Sequence, residues 1–211
     1  EWPEQKVIIV SQEKSENVRP IKMRTLGNGV QQGLISITRL NPGESAYVYF
    51  TIEVERSIME APQSVTELAR PDVVPAAVRK YLLVSPFIEM RDPSIVKVSR
   101  EVGYDAENDW QRVELIYDWV RERIRYEFDE EQRGAAEALK LGVGDCEELT
   151  SLFIAMCRNN GIPARAVWIP GHCYPEFYLE NAAGQGFWFP CQAAGTRAFG
   201  AMPEYRPVLQ K

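Results

Sequence analysis

The chain has a single histidine among its 211 residues, His172, and only four cysteines, none spaced C-x-x-C. A zinc centre needs several imidazole or thiolate ligands at set spacings, and scattered thiols around one ring do not supply them. A disulfide framework would spread its cysteines along the chain, whereas these stand at positions 146, 157, 173 and 191, in the last third. No apolar run approaches transmembrane length, no signal-peptide pattern is expected, and no D-x-[DN]-x-[DN]-G calcium loop occurs. Basic residues are in deficit, 24 Lys and Arg against 30 Asp and Glu, for a net charge of −6 and a pI near 5.1. That balance argues against nucleic acid or an anionic membrane surface, both of which need a basic face. No internal repeat or low-complexity segment is apparent. The chain opens at Glu1 without a methionine, which reads as a processed or excised product; compartment is left open, with export favoured over cytoplasm.

What is present is ordinary for a globular protein, 45% hydrophobic and 26% charged residues, and 211 residues suffice for a real core. One stretch organises it: Gly142 to Arg165, GVGDCEELTSLFIAMCRNNGIPAR. Asp145 followed by Glu148 forms a capping-box signature. Leu149, Leu152, Phe153 and Met156 recur at the spacing of one helical face, and Ile154, Ala155 and Cys157 extend burial around the later turns. Asn160 and Gly161 supply a left-handed stop, Arg158 suits the negative end of the helix dipole, and Pro163 prevents continuation. Cys146 then lies in the first turn, where free N–H groups and the aligned dipole favour a thiolate.

Elsewhere, residues 1–60 alternate apolar and polar in short runs with turn signals at Gly27-Asn28-Gly29 and Asn41-Pro42-Gly43, predicting a small antiparallel β-domain with one buried face and a scaffold role. A linker is expected over 61–75, where periodicity lapses, and a second domain over 76–211. In it, short helices are predicted at Pro75–Leu83, from Asp92-Pro93 to about Val102, and at Ala135–Leu141. A longer helix, Glu107 to about Tyr126, has Val113, Ile116, Tyr117, Val120 and Ile124 on its inner side, Leu115 and Trp119 toward a second neighbour, and mixed charges including Arg121 on a solvated face. After the central helix, Ala164–Pro170, Cys173–Leu179 and Phe187–Gln192 read as strands. If the last two make a hairpin centred near Ala182, His172 faces Gln192 and Cys173 faces Cys191, on opposite sides of the sheet. Glu176 and Trp188 then share the His172 face. Cys157, Cys173 and Cys191 are read as core thiols, ahead of a cross-strand disulfide or a metal site with His172.

A cysteine at a helix N-terminus followed 26 residues later (172 − 146) by the only candidate base has the plan of a thiol acyl-transfer enzyme. The imidazole takes the thiol proton, the thiolate attacks a carbonyl, and a third group on the other ring nitrogen sets the tautomer. Gln192 is placed for that third role. Asp145, Glu147 and Glu148 oppose a thiolate, an exposed carboxylate several Å away by about 1–3 kcal/mol before screening, against about 5–7 kcal/mol from a close imidazolium, so the ion pair should win if the two groups meet. The backbone N–H of Cys146 is the natural first oxyanion donor; Gln132, Tyr126 and Trp168 are candidates for a second.

The blocks G-D-C-E-E-L-T-S-L-F-I-A-M-C-R-N-N-G-I-P-A-R, G-H-C-Y-P-E-F-Y-L and G-F-W-F-P-C-Q, with Y-D-W-V-R-E-R-I-R-Y and A-A-E-A-L before them, resemble the transglutaminase-like superfamily of papain-type cysteine enzymes. The likeness covers about residues 76–195. It implies an α+β, papain-like core of helices on an antiparallel sheet, here with a small N-terminal all-β domain. By the same resemblance Cys146 matches the nucleophile and His172 the catalytic histidine. Gln192 stands where the family usually carries aspartate; its amide oxygen can orient the ring, as asparagine does in papain-like enzymes, but adds no negative charge. The expected function is cysteine peptidase or amidase chemistry on a peptide or protein substrate through a thioester, with protein-glutamine transglutaminase or an inactive binding module as alternatives. No cofactor and no metal are expected.

Overall fold

The computed structural model describes residues 2–27 and 29–211. In chain order the elements are β1 (Gln5–Lys14), β2 (Lys22–Thr25), β3 (Gln31–Leu34), β4 (Val48–Arg56), α1 (Ala76–Arg79), α2 (Pro93–Glu101), α3 (Asp109–Arg123), β5 (Arg125–Tyr126), α4 (Ala135–Leu141), β6 (Val143–Gly144), α5 (Cys146–Asn159), β7 (Ala164–Ile169), β8 (His172–Glu180) and β9 (Gly186–Pro190). The architecture is α+β: α5 lies across an antiparallel β7-β8-β9 sheet, with α2, α3 and α4 packed around it.

Local chemistry sets the boundaries. Pro93 opens α2 behind Asp92, whose side chain accepts from Ser94 N at 2.8 Å. Asn108 caps α3 by accepting from Gln111 N at 2.8 Å. All five stripe residues, Val113, Ile116, Tyr117, Val120 and Ile124, are buried, and Trp119 packs partly buried at the edge of the same core. Helix α3 stops at Arg123, short of the expected Tyr126, because the next residues pair in parallel with β6: Arg125 N donates to Gly142 O and Glu127 N to Gly144 O, each at 2.9 Å. That pairing holds the loop entering α5 against the end of α3.

The capping box of α5 is formed: Glu147 N donates to Asp145 Oδ1 at 2.7 Å and Asp145 N to Glu148 Oε2 at 2.8 Å. Residues Glu148 through Arg158 are buried, apart from a half-buried Ser151, so the helix is enclosed almost all round. The face of the sheet turned to it carries Ala164, Phe177, Leu179, Phe189 and Cys191. Phe177 joins Trp110, Phe153, Phe189 and Phe199 in one aromatic cluster with centroids 5.3–6.4 Å apart. The opposite face packs Val167, Ile169 and Tyr174 under Met202 and Val208.

The β8–β9 register differs from the expected one. Glu176 opposes Pro190 rather than Trp188, an offset of two residues (190 − 188), because the turn is centred one residue further on, at Ala183 rather than Ala182, with Asn181 N bonded to Gln185 O. Since side chains alternate with period two, an even offset leaves every residue on its expected face. Strand β8 also begins one residue early, at His172.

The N-terminal region is β, as two separate two-stranded ribbons, β1–β4 and β2–β3. The single sheet with one buried face does not form. Ile8 is 61% exposed and Tyr49 63%, with Val10, Phe50 and Ile52 also open, because a ribbon two strands wide covers little, and β2–β3 approaches it only loosely, near Gly33 and Phe50. Of the two turn signals there, the one at Gly27-Asn28-Gly29 is centred outside the described residues. The ribbons are tied to the core at their base: Gln5 exchanges hydrogen bonds with the Val208 backbone at 2.9 and 2.6 Å, and Arg56 donates to Tyr174 OH at 2.8 Å. In the stretch 61–75, Leu68 is buried in the main core and Ala69 bridges Glu180.

Gly144 shows how tightly the entry to α5 is built: a Cβ there would sit 2.6 Å from Glu148 Cβ, the stem of a side chain already committed to the cap. Gly144→Ala is expected to destabilise the fold by about 1–3 kcal/mol, read as a lower denaturation midpoint at unchanged m-value. An unchanged midpoint would show that the entry loop has slack the geometry does not reveal.

Candidate active site

Cys146, the first residue of α5, is half-buried, and His172, the first residue of β8, lies close enough that ring and thiol shift each other's proton affinity. His172 Nε2 lies 2.9 Å from Gln192 Oε1. An amide oxygen can only accept, so Nε2 carries the proton there and Nδ1 is the nitrogen left for the sulfur. The structure therefore brings Cys146, His172 and Gln192 into one chain of contacts.

Gln192 lies just past β9 and is held through its backbone. Its carbonyl accepts from Tyr117 OH at 2.9 Å and from Arg121 Nη1 at 2.7 Å, and its N–H donates to Ala198 O at 2.8 Å. Arg121 also reaches Ala193 O and Gly195 O. The reading of Arg121 as part of a solvated face is corrected here: it clamps the segment that presents Gln192, across 71 residues of sequence.

A second contact lay outside the sequence reading. Cys173, expected as plain core, is a buried free thiol beside Cys146, with its Sγ directed to Cys146 O at 3.4 Å and to Thr150 Oγ1 at 3.7 Å. Its position directly after His172 was the one available signal. Cys191 is likewise a free, fully buried thiol, with Sγ 3.8 Å from Pro175 O, and Cys157 is enclosed in the core.

These contacts polarise the thiol. Cys146 is lowered to about 4, first by the hydrogen bond from Cys173, then by the hydrogen bond and charge of His172 and the Cys173 backbone, against a burial cost. His172 is raised by its bond to Cys146 and by Gln192, against burial. Burial drives Cys157 and Cys191 up, and Cys173 rises because it must keep its proton to donate to Cys146. Both shifts run toward a thiolate paired with an imidazolium. The acidic neighbours yield: Asp145 is raised to about 6, chiefly by burial, and Glu147 is raised by burial and by the charge of Cys146.

The Cys146 N–H has no partner among the described residues and points from the first turn of α5, where an oxyanion would be received. Of the second-donor candidates, Gln132 already donates to Glu147 at 2.6 Å, Tyr126 is exposed but close enough to feel the Cys146 charge, and Trp168 lines a cavity beside Cys173. On the histidine side an open groove is lined by Tyr126, His172, Gln192 and Arg206. Arg206 is fixed by Glu204 at 2.7 Å and Pro170 O at 3.0 Å, and its charge acts on both His172 and Cys146. No group of three His, Cys, Asp or Glu side chains among the described residues is arranged to hold a metal ion, and no described helix is long and apolar enough to cross a membrane.

The fold, helices packed on an antiparallel sheet, is transglutaminase-like. Residues 96–193 match the model of the transglutaminase-like superfamily. Among solved structures, a candidate cysteine protease from Cytophaga hutchinsonii is 18% identical with a TM-score of 0.63, over 92% of this chain and 67% of that one. The periplasmic domain of TgpA from Pseudomonas aeruginosa is 12% identical with a TM-score of 0.46, over 90% of this chain and 65% of that one. A candidate protease from Parabacteroides distasonis, 12% identical with a TM-score of 0.39, is matched over 87% of this chain and 43% of its own length. No curated protein matches the chain.

Two outcomes are expected. Iodoacetamide should alkylate Cys146 ahead of the other three thiols and remain fast at pH 6, losing rate only as pH falls toward about 4, where the thiolate takes its proton. In Cys173→Ala the acid limb should move up by about one to two pH units, the worth of one hydrogen bond to a charged group. Mass spectrometry of each cysteine across pH reads both; a limb unmoved in Cys173→Ala would remove that thiol from the account.

Proposed function

We infer that the protein is a cysteine peptidase or amidase whose nucleophile is Cys146, with His172 as general base and acid and Gln192 orienting the ring. The reading rests on one observation above all, the sulfur, imidazole and amide linked in sequence at the head of a buried helix. The thiolate attacks a substrate carbonyl and the Cys146 N–H stabilises the developing oxyanion. The imidazolium gives its proton to the leaving amine as the C–N bond breaks, leaving a thioester. Water, deprotonated by the neutral ring, then releases the acid and restores the thiol proton to the pair.

Glutamine in the third place keeps the ring oriented but adds no charge, so the imidazolium owes its stability mainly to the thiolate itself. As the thiolate is consumed in the attack, the imidazolium loses that partner and becomes a stronger acid toward the leaving amine. Hydrolysis is preferred over amine transfer because neither flanking cavity specifies an amine acceptor. The 76–211 segment is the catalytic domain in this reading, with the ribbons of 1–60 as an accessory.

Trapping is the direct test. An activated peptide ester should leave an acyl adduct on Cys146 that decays in water, and Cys146→Ser should abolish turnover. Gln192→Ala should lower kcat/KM by about 10- to 100-fold, as one hydrogen bond to a charged ring is lost. Decay only when a primary amine is offered would convert the reading to a transferase, and no adduct at all would leave a binding module.

A further inference from the structure

The cavity on the thiol side of the site extends well beyond it. It has a volume of about 410 Å³ and runs from Glu147 and Cys173, beside Cys146, to Lys80, Arg158 and Arg165. Two rulers give its length. Arg158 is twelve residues along α5 from Cys146 (158 − 146), about 18 Å at 1.5 Å per residue, and its side chain leans back toward the thiol end. On the sheet, Trp168 is level with Cys173, and Arg165 lies three residues further along β7, about 10 Å away.

Charge is distributed unevenly along this length. At the far end Arg165 grips the fully buried Glu176 through Nε at 2.8 Å and Nη2 at 2.7 Å, and Lys211 shares that carboxylate at 2.8 Å while also pairing with Glu4. Among the described residues Arg165 and Lys211 are thus answered there by Glu176 and Glu4. Arg158 and Lys80 do not enter these pairs. Arg158 is buried and bonds only to neutral oxygens, Ala164 O, Leu83 O and Ser85 Oγ, with no carboxylate partner among the described residues. Lys80 makes no ion pair among them and lies over the Tyr81 ring at 4.8 Å. Arg165 keeps its Nη1 unbonded while its guanidinium stacks 3.9 Å over Trp188. Among the described residues the one carboxylate side chain lining the cavity, Glu147, is at the thiol end. In a protein of net charge −6, the far end thus holds two surplus cations and several spare N–H donors.

We propose that this end of the cavity receives a peptide carboxylate, so that the substrate is an acidic peptide carrying its negative charge about three to five residues from the amide presented to Cys146. The spacing follows from 10–18 Å of cavity and 3.3–3.6 Å per extended residue. Guanidinium and ammonium donors on an aromatic wall suit a carboxylate held by charge-assisted hydrogen bonds. The carboxylate comes from an Asp or Glu side chain or from a chain terminus. The substrate class rests on the hydrolase reading; the anion site itself does not.

A defined peptide pool, digested and mapped by mass spectrometry, tests it. Cleavage sites should be enriched at least tenfold in Asp or Glu over Asn or Gln at one position three to five residues away, or, for the other carboxylate source, in free-acid over C-amidated peptides. In Lys80→Glu, an exposed position, the enrichment should fall at least fivefold. Protection of Cys146 from iodoacetamide is measured in parallel, since it needs no turnover. Glu peptides protecting at least fivefold better than their Gln counterparts, with no cleavage, would end the hydrolase reading and uphold the anion site. Equal protection, or enrichment untouched by Lys80→Glu, would overturn the proposal.

Discussion

Burial of α5 against the face of β8 that carries Cys173 and Phe177 is the constraint on which the rest depends. A helix enclosed almost all round has its position fixed to within a side chain, because close-packed cores do not deform continuously. Its first residue is consequently delivered to the start of β8, and the thiol meets both the ring of His172 and the sulfur of Cys173. The capping box and the β5–β6 pairing serve the same end, fixing the backbone by which the chain enters the helix.

The electrostatics of the site follow from that placement. Three carboxylates lie within three residues of the sulfur, yet the thiolate is the favoured form. One of them, Glu148, is consumed by the cap and by Arg133 N at 2.8 Å. The other two, Asp145 and Glu147, are raised by burial and by the charge of Cys146, which weakens their tendency to ionise beside it. The positive side is short-range and directional: a thiol donor, an imidazolium and the helix terminus all address one atom. The sequence argument weighed the imidazolium alone, and Cys173 adds a second contribution in the same direction.

Much of the core was legible because it is periodic. The α3 stripe, the α5 face and the capping residues follow from spacing and from what a helix end requires, and the strand faces survived a register error of two residues because alternation has period two. The same alternation predicted a buried face for the N-terminal strands that the structure does not have. Alternation reports that one face is apolar; whether anything covers it depends on neighbours that the pattern does not encode. Arg121 failed for a related reason: on a mixed-charge helix nothing distinguishes the arginine in solvent from the one reaching the carbonyls of residues 192–195.

By itself the sequence determined which residue types stand where: a capped helix beginning at Cys146, a lone imidazole on a following strand, and Gln192 on the same face of the sheet, all consequences of local backbone preference and side-chain periodicity. Only the tertiary structure decided which thiol donates to Cys146, which arginine holds the Gln192 segment, and which cations line the cavity without a carboxylate to answer them. Those are contacts between segments tens of residues apart, made by single side chains, and they leave no repeat in the chain because each depends on how far α5 is pressed into the sheet.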